Sequence, residues 1–401
     1  MELTYKCYSF LYNTAKILLR RSQTTNDIKG ISKKLKLGVS SQESSVLWNQ
    51  FIDNSIIEEK QFRGNHYAGY LADASIWVLP SWIWTNAAII RCFCKIGKLE
   101  QAKKLGILLS NEQKECGGWI VRNDYDNKGA IPVLAPNDSA YIANNAFLTL
   151  YEMTKDEYYL NIARKCADWI IRTARPDGMV YIGYNIRDER WETNCVIVDV
   201  GFTGGLFANL YSYTKDEKYK TFLKKFTDCY INLFFNENKH GFSTSIDKSN
   251  HQQGGMFGRG QAWALEGLIP AYQILKDEKI KNVIEMTIDN LLSVQCKDGG
   301  WPYNLTRPLM GKDCKAVSVI AKSMMDWINC IGYEKNKVRI RNCAERALEW
   351  CRKHTSVEGE TIGGIFSFCY EGAIVHNLCS KCAFVYASAY AIELEKLLHD
   401  E

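Results

Sequence analysis

The sequence predicts an all-α fold, an (α/α)6 barrel or six-hairpin toroid with short β-turns or hairpins at one mouth. Three observations lead there: a repeat of about sixty residues, two kinds of helical run within each repeat, and glycine-rich turns after the second run. Lys155-Asp156-Glu157, Lys215-Asp216-Glu217 and Lys276-Asp277-Glu278 mark the repeat, 60 and 61 positions apart, the kind of periodicity that indicates stacked supersecondary units. Each marker follows an apolar run (AFLTLYEMT, GLFANLYSYT, GLIPAYQIL) and precedes an amphipathic one (YYLNIARKCADWIIRTA, KYKTFLKKFTDCYINLFF, KIKNVIEMTIDNLLSVQ). Apolar residues in the second runs recur every three or four positions, as in a helix with one buried face. The first runs are apolar or small nearly all round, as expected of a helix enclosed on both sides.

The unit continues upstream as WTNAAIIRCFCKIGK with LEQAKKLGILLSNEQ, and downstream as VSVIAKSMMDWINCIGYEK with KVRIRNCAERALEWCRKH. A last inner-type run, FVYASAYAIELEKLL, closes the chain, and the amphipathic N-terminal segment is its expected partner. That gives six inner and six outer helices. The turns CGGWIVRND, RPDGMVYIG, NKHGFSTSI, KDGGWPYN and GGIFSF collect at one mouth. Gln113-x-x-x-Gly117-Gly118-Trp119 and Gln295-x-x-x-Gly299-Gly300-Trp301 share one spacing, read as a Gly-Gly turn with tryptophan packed on a helix end. With no linker or break in composition, residues 1–401 read as a single domain, 1–75 being N-terminal outer helices and lead-in.

With 46% apolar and 24% charged residues the chain has a soluble globular composition. Fifty basic residues against 45 acidic ones, with no polybasic block, give no reason to expect nucleic acid. No apolar run approaches the roughly 18 residues that span a bilayer, so no membrane partner is expected. The N-terminus carries Glu2 and Lys6 and lacks a cleavage site, so it reads as a helix and not a signal peptide. Fifteen cysteines, mostly within helical runs, then read as reduced apolar fillers in a cytoplasmic protein. A monomer or weak homo-oligomer is expected. No metal or cofactor is: the six histidines are scattered, and Cys379-x-x-Cys382 has no second pair.

Residues at the N-termini of the inner helices should ring one mouth. Asp138 lies 17 positions before Lys155, Asp199 16 before Lys215, Gln261 15 before Lys276 and Trp84 14 before Lys98. Carboxylates, an amide, an indole and Arg259 converging there suit a sugar cleft, since aromatic faces stack on pyranose rings and guanidinium groups recognise carboxylates. Asp138 also fits a simple helix cap, and Arg259 also fits a counter-ion for the acids. Asp199 follows the apolar strip CVIV, so its carboxyl should have a raised pKa or a firm partner. Two acids on neighbouring helices match the paired carboxyls that glycosidic chemistry uses.

FGRGQAWALEGL (257–268) resembles the signature of unsaturated glucuronyl hydrolases, glycoside hydrolase family 88, and their unsaturated rhamnogalacturonyl relatives. VIVDVGFTGGLFANLYSYTKDEKY, NDSAYIANNAFLTLYEMTKDEYY and LPSWIWTNAAIIRCFCKIGK resemble that family's two aspartate segments and its first inner helix. The resemblance covers roughly residues 75–330. It implies an enzyme, a glycoside hydrolase, that takes a 4,5-unsaturated uronic acid from the non-reducing end of lyase-generated oligosaccharides by hydrating the enol-ether double bond. It implies Asp199 as proton donor and water activator, and Asp138 as holder of ring hydroxyls. Trp84, Arg259, Gln261 and Trp263 would shape the sugar site. Asn137 stands where the family commonly has histidine, and His251, Gln252 or Gln253 stands near its His-Gln position; Asn137, His251 and Gln253 are carried as substrate-binding candidates. Asp313-Cys314-Lys315 replaces an Asp followed by small hydroxyl residues, and the usual tryptophan and Gly-Asp-Tyr of the closing helix are missing. These departures imply a substrate other than the common glycosaminoglycan disaccharide. The alternatives are a non-catalytic glycan-binding or polysaccharide-assembly protein, a sugar 2-epimerase, which needs histidines on inner helices, and a terpene cyclase, which needs an acid-rich Asp-x-Asp-Asp run absent here.

Overall fold

The computed structural model describes residues 35–60, 62–72, 75–78, 82–126, 129–307, 311–331, 336–366, 368–369 and 382–399. In chain order the described helices are α1 (Ser44–Asn54), α2 (Trp82–Lys95), α3 (Leu99–Asn111), α4 (Pro136–Ile142, a π-helical stretch Ala143–Leu148, then Thr149–Thr154), α5 (Glu157–Thr173), α6 (Phe202–Thr214), α7 (Glu217–Phe234), α8 (Gly258–Leu275), α9 (Glu278–Val294), α10 (Cys314–Ile331), α11 (Lys337–Lys353) and α12 (Val385–His399). The even-numbered helices form the inner ring. Each packs on the next, from α2 through α12, and α12 returns to α2. The odd-numbered helices shield them, which makes the molecule an (α/α)6 barrel.

The Lys-Asp-Glu repeat is a two-residue hinge. Lys155, Lys215 and Lys276 end inner helices in the left-handed region, at φ 58°, 57° and 53°. Asp156, Asp216 and Asp277 then cap the outer helices by accepting from the backbone N–H of Tyr158, Lys218 and Lys279. Such a cap is worth about 1 kcal/mol. Inner and outer faces differ as their patterns require: α6 buries eight of its thirteen residues, whereas α5 buries one stripe that includes Leu160, Ala163, Cys166 and Ile170.

The ring closes on α1. Trp48, Phe51 and Ile52 face inward, Trp48 Nε1 donates to Thr355 Oγ1 at 2.9 Å, and Glu395 of α12 accepts from Ser44 Oγ at 2.5 Å and Arg352 Nη2 at 2.7 Å. The expected pairing of the first residues with α12 lies outside the described residues; the described partner of α12 is Ser44–Asn54.

The two ends of the barrel are unlike. The described strands, all short, lie in the connections from an outer to the next inner helix, or in the lead-in to α2, and so gather at the inner helices' N-terminal mouth. Both Gly-Gly-Trp turns are there. Gly117 and Gly299 have φ +113° and +97°, and an added Cβ would lie 2.3 Å from Lys165 O or 2.0 Å from Arg346 O. Gln113 and Gln295 donate to the glycine carbonyls at 2.9 Å, and Trp119 and Trp301 donate back to Leu109 O and Leu291 O. Described cysteines such as Cys92, Cys166, Cys343 and Cys351 are buried free thiols. No described helix is long and apolar enough to cross a membrane.

Candidate active site

The strand-covered mouth leads to a pocket of about 190 Å³ lined by Trp84, Asp138, Tyr141, Asp199, Phe202, Arg259, Trp263 and Tyr386. Helices α2, α4, α6, α8 and α12 or their lead-in turns contribute. Asp138 sits in the first turn of α4, which no side chain caps, so the capping alternative is not realised. Its neighbour Ser139 accepts from Trp119 N at 3.0 Å, tying this turn to the first Gly-Gly-Trp motif. Asp199 lies in a 3-10 turn, Val198–Gly201, ahead of α6. That turn is held by the strand Cys195–Ile197, paired with Ser245–Asp247, and by Tyr230, whose hydroxyl donates to Val198 O at 2.8 Å. Close packing brings α6 and α8 together: a Cβ on Gly267 would lie 1.9 Å from Gly201 O.

Burial pushes both carboxyls up, Asp138 to about 7 and Asp199 to about 6. The charge of Asp199 raises Asp138 further, and Arg122 opposes the rise. The Asn137 side chain, which hydrogen-bonds Asp199, and the Arg259 and Arg122 cations hold Asp199 lower. Asp199 Oδ1 is nonetheless buried with no hydrogen-bond partner among the described residues. Near neutral pH this pair retains a proton that exposed carboxyls would have lost.

Arg259 is the one cation in the described lining. Its guanidinium lies 4.6 Å from the Trp263 ring centre, and its Nη1 is 4.0 Å from Asp313 Oδ2. Asp313 is fully buried and its Oδ1 accepts from Lys315 N at 3.1 Å at the start of α10. Lys315 itself is buried and sets its ammonium 3.9 Å from the Phe384 ring centre; it is not among the lining residues. Trp84 meets Tyr386 edge to face at 4.9 Å.

Four other candidates do not line the pocket. Gln261 is buried on the other side of α8, where its amide accepts from Phe242 N at 2.7 Å and donates to Phe242 O at 2.8 Å. His251 is an exposed loop residue beside Asp247, and Gln253 is exposed and donates to the same carboxylate at 3.2 Å. Both serve a turn that Asp247 organises. Asn137 is buried, and its side chain hydrogen-bonds Asp199. Tyr141, Phe202, Tyr386 and Arg122 were absent from the sequence-derived set. Tyr141 and Phe202 follow the two acids by three positions, a helical spacing that brings them to the same face; nothing in the sequence singles out Arg122 or Tyr386. Among the described residues no cluster of three metal-ligating side chains occurs.

Solved structures with this fold include an unsaturated glucuronyl hydrolase from Bacillus sp. GL1 (14% identity, TM-score 0.69, covering 89% of this chain and 96% of that one). An unsaturated glucuronyl hydrolase specific for heparin (16%, TM-score 0.69, 90% and 95%) is similar, as is a sugar epimerase from a ruminal bacterium (15%, TM-score 0.68, 89% and 97%). At these identities the likeness concerns the fold. A search of curated proteins returned no match. The family model for Glycosyl Hydrolase Family 88 matches residues 76–393, a span that contains every lining residue of the pocket. The chain belongs to glycosyl hydrolase family 88.

Proposed function

We propose that the chain removes a 4,5-unsaturated uronic acid from the non-reducing end of lyase-generated oligosaccharides by hydrating its double bond. The observation that carries this reading is the pair of buried carboxyls in one small pocket, both pushed toward neutrality. Proton donation to a carbon needs an acid that still holds its proton at working pH, and burial is what supplies one. Asp199 gives its proton to C4. Water adds its oxygen to C5, and the proton it sheds passes to the Asp199 carboxylate, which restores the acid. The product is a hemiketal, whose opening expels the neighbouring sugar. Asp138 holds ring hydroxyls and, with its own proton near neutrality, limits the charge beside Asp199. Arg259 faces the sugar carboxylate, and Trp84 and Trp263 flank the ring. This scheme needs no metal or cofactor.

None of the eight described lining residues is a histidine, which favours this reading over epimerase chemistry on the same barrel. The test follows enol-ether absorbance while the protein is offered lyase digests of glycosaminoglycan, alginate, gellan and pectin. Absorbance should fall with at least one digest, and Asp199→Asn should abolish the fall while leaving the helical circular dichroism intact. Wild-type protein that consumes none of the digests yet binds saturated glycans would instead establish a binding protein.

A further inference from the structure

The barrel has a second concavity, at the end opposite the pocket. The described hinges on this side are short, and among the described residues no strand lies there. All six inner helices contribute to a well of about 650 Å³, mostly with their middle and C-terminal residues, against about 190 Å³ for the front pocket. Its rim carries exposed Lys95, Glu152, Gln273, Asn329 and Lys396. Its floor is buried and polar. Arg91 Nε lies 3.0 Å from both oxygens of Glu393, Arg91 Nη1 donates to Asn145 Oδ1 and stands 3.6 Å from Glu266 Oε1, and Tyr390 donates to that same oxygen at 2.6 Å. The side chains of Arg91 and Glu266 are only 9% and 10% exposed. Arg91 Nη2 and Glu266 Oε2 have no hydrogen-bond partner among the described residues. Phe202 lines both spaces and divides them.

We infer that this well is a second binding site, for a small neutral polyhydroxylated ligand of oligosaccharide size. Its lining holds four acidic and four basic side chains together with five carboxamides. That balance favours no net charge on the occupant, because an anion or a cation would leave half of those groups opposed to it. Carboxylates, guanidinium and carboxamides are planar groups that offer paired acceptors or donors, the match for neighbouring hydroxyls. Between them Leu148, Leu265, Ile269 and Pro270 form an apolar wall suited to the C–H faces of sugar rings. Tyr213 adds an aromatic surface near the opening. This inference is independent of the reaction assigned to the front pocket.

The test is saturation-transfer NMR and calorimetry on the full chain, with cellobiose, maltose and N,N′-diacetylchitobiose as separate probes at 10 mM. At least one probe should bind, with the same affinity in Asp199→Asn. Gln273→Trp, which puts bulk at an exposed rim position, should weaken binding at least tenfold without changing the circular dichroism. Glu266→Gln, which retains the side-chain shape, should weaken it to a similar degree. Three results would overturn the inference: no binding of any probe, binding that Gln273→Trp leaves unchanged, or binding lost only when Trp84 or Asp199 is altered.

Discussion

Replacing Asp138 by asparagine should raise the thermal unfolding midpoint at pH 8 and change it little at pH 4. Asp138 titrates near 7 in the folded chain and at 3.8 when unperturbed, because burial and the Asp199 charge disfavour its ionised form. Between those values the folded state holds a proton that the unfolded state has released, so stability falls as pH rises. The penalty is absent below 3.8, grows through the interval, and is complete above about 7. Holding the carboxyl at about 7 instead of 3.8 corresponds to roughly 4 kcal/mol. For a chain of 401 residues, an unfolding entropy of about 2 cal/mol/K per residue makes that about 5 °C. Asparagine keeps the shape and removes the charge. Differential scanning calorimetry at the two pH values measures the difference directly. An equal shift at both pH values, or a lower midpoint at pH 8, would refute the view that Asp138 is a carboxyl held against its ionisation.

The pH dependence of kcat/KM should follow the same chemistry: activity requires the proton on Asp199, so it should decline as pH rises through about 6 to 7, about tenfold per unit beyond. Arg259→Lys should raise KM for unsaturated uronic acids, since a point charge replaces a planar fork, and steady-state kinetics would show it. Gly267→Ala should destabilise the protein by at least 1–3 kcal/mol, because the new Cβ meets Gly201 O at 1.9 Å; urea titration would read it. Asp216→Ala should cost about 1 kcal/mol with no effect on activity, checked by the same titration and by rate assays.

The barrel was legible because its repeat performs a backbone task. A lysine in the left-handed region followed by a capping aspartate recurs with its helices, and such local requirements leave a written pattern. The pocket was legible only in part, because counting back from the lysines treats every inner helix as equally wound. One position is about 100° of helix, so Gln261, two positions out of step with Asp138, faces the hairpin instead of the lumen. The residues that share a face are Phe202 and Trp263, each 13 positions before its lysine. Tyr141 lies 14 before Lys155, and the π-helical stretch Ala143–Leu148 absorbs the difference of one. His251 and Gln253 were misplaced for another reason. Composition cannot tell a loop that bends into a pocket from one that folds on its own aspartate.

That wide turn in α4 carries a consequence for how such a helix can change. Without it, any residue gained or lost between Asp138 and Asn145 would swivel one end of the helix about 100° against the other. Either the acid or the amide would then be driven from the bore into a neighbouring wall. By confining the extra residue to one loop of wider pitch, the chain sets the orientations of its two ends separately. Chemistry at one opening of the tube can therefore drift without dragging the other opening along.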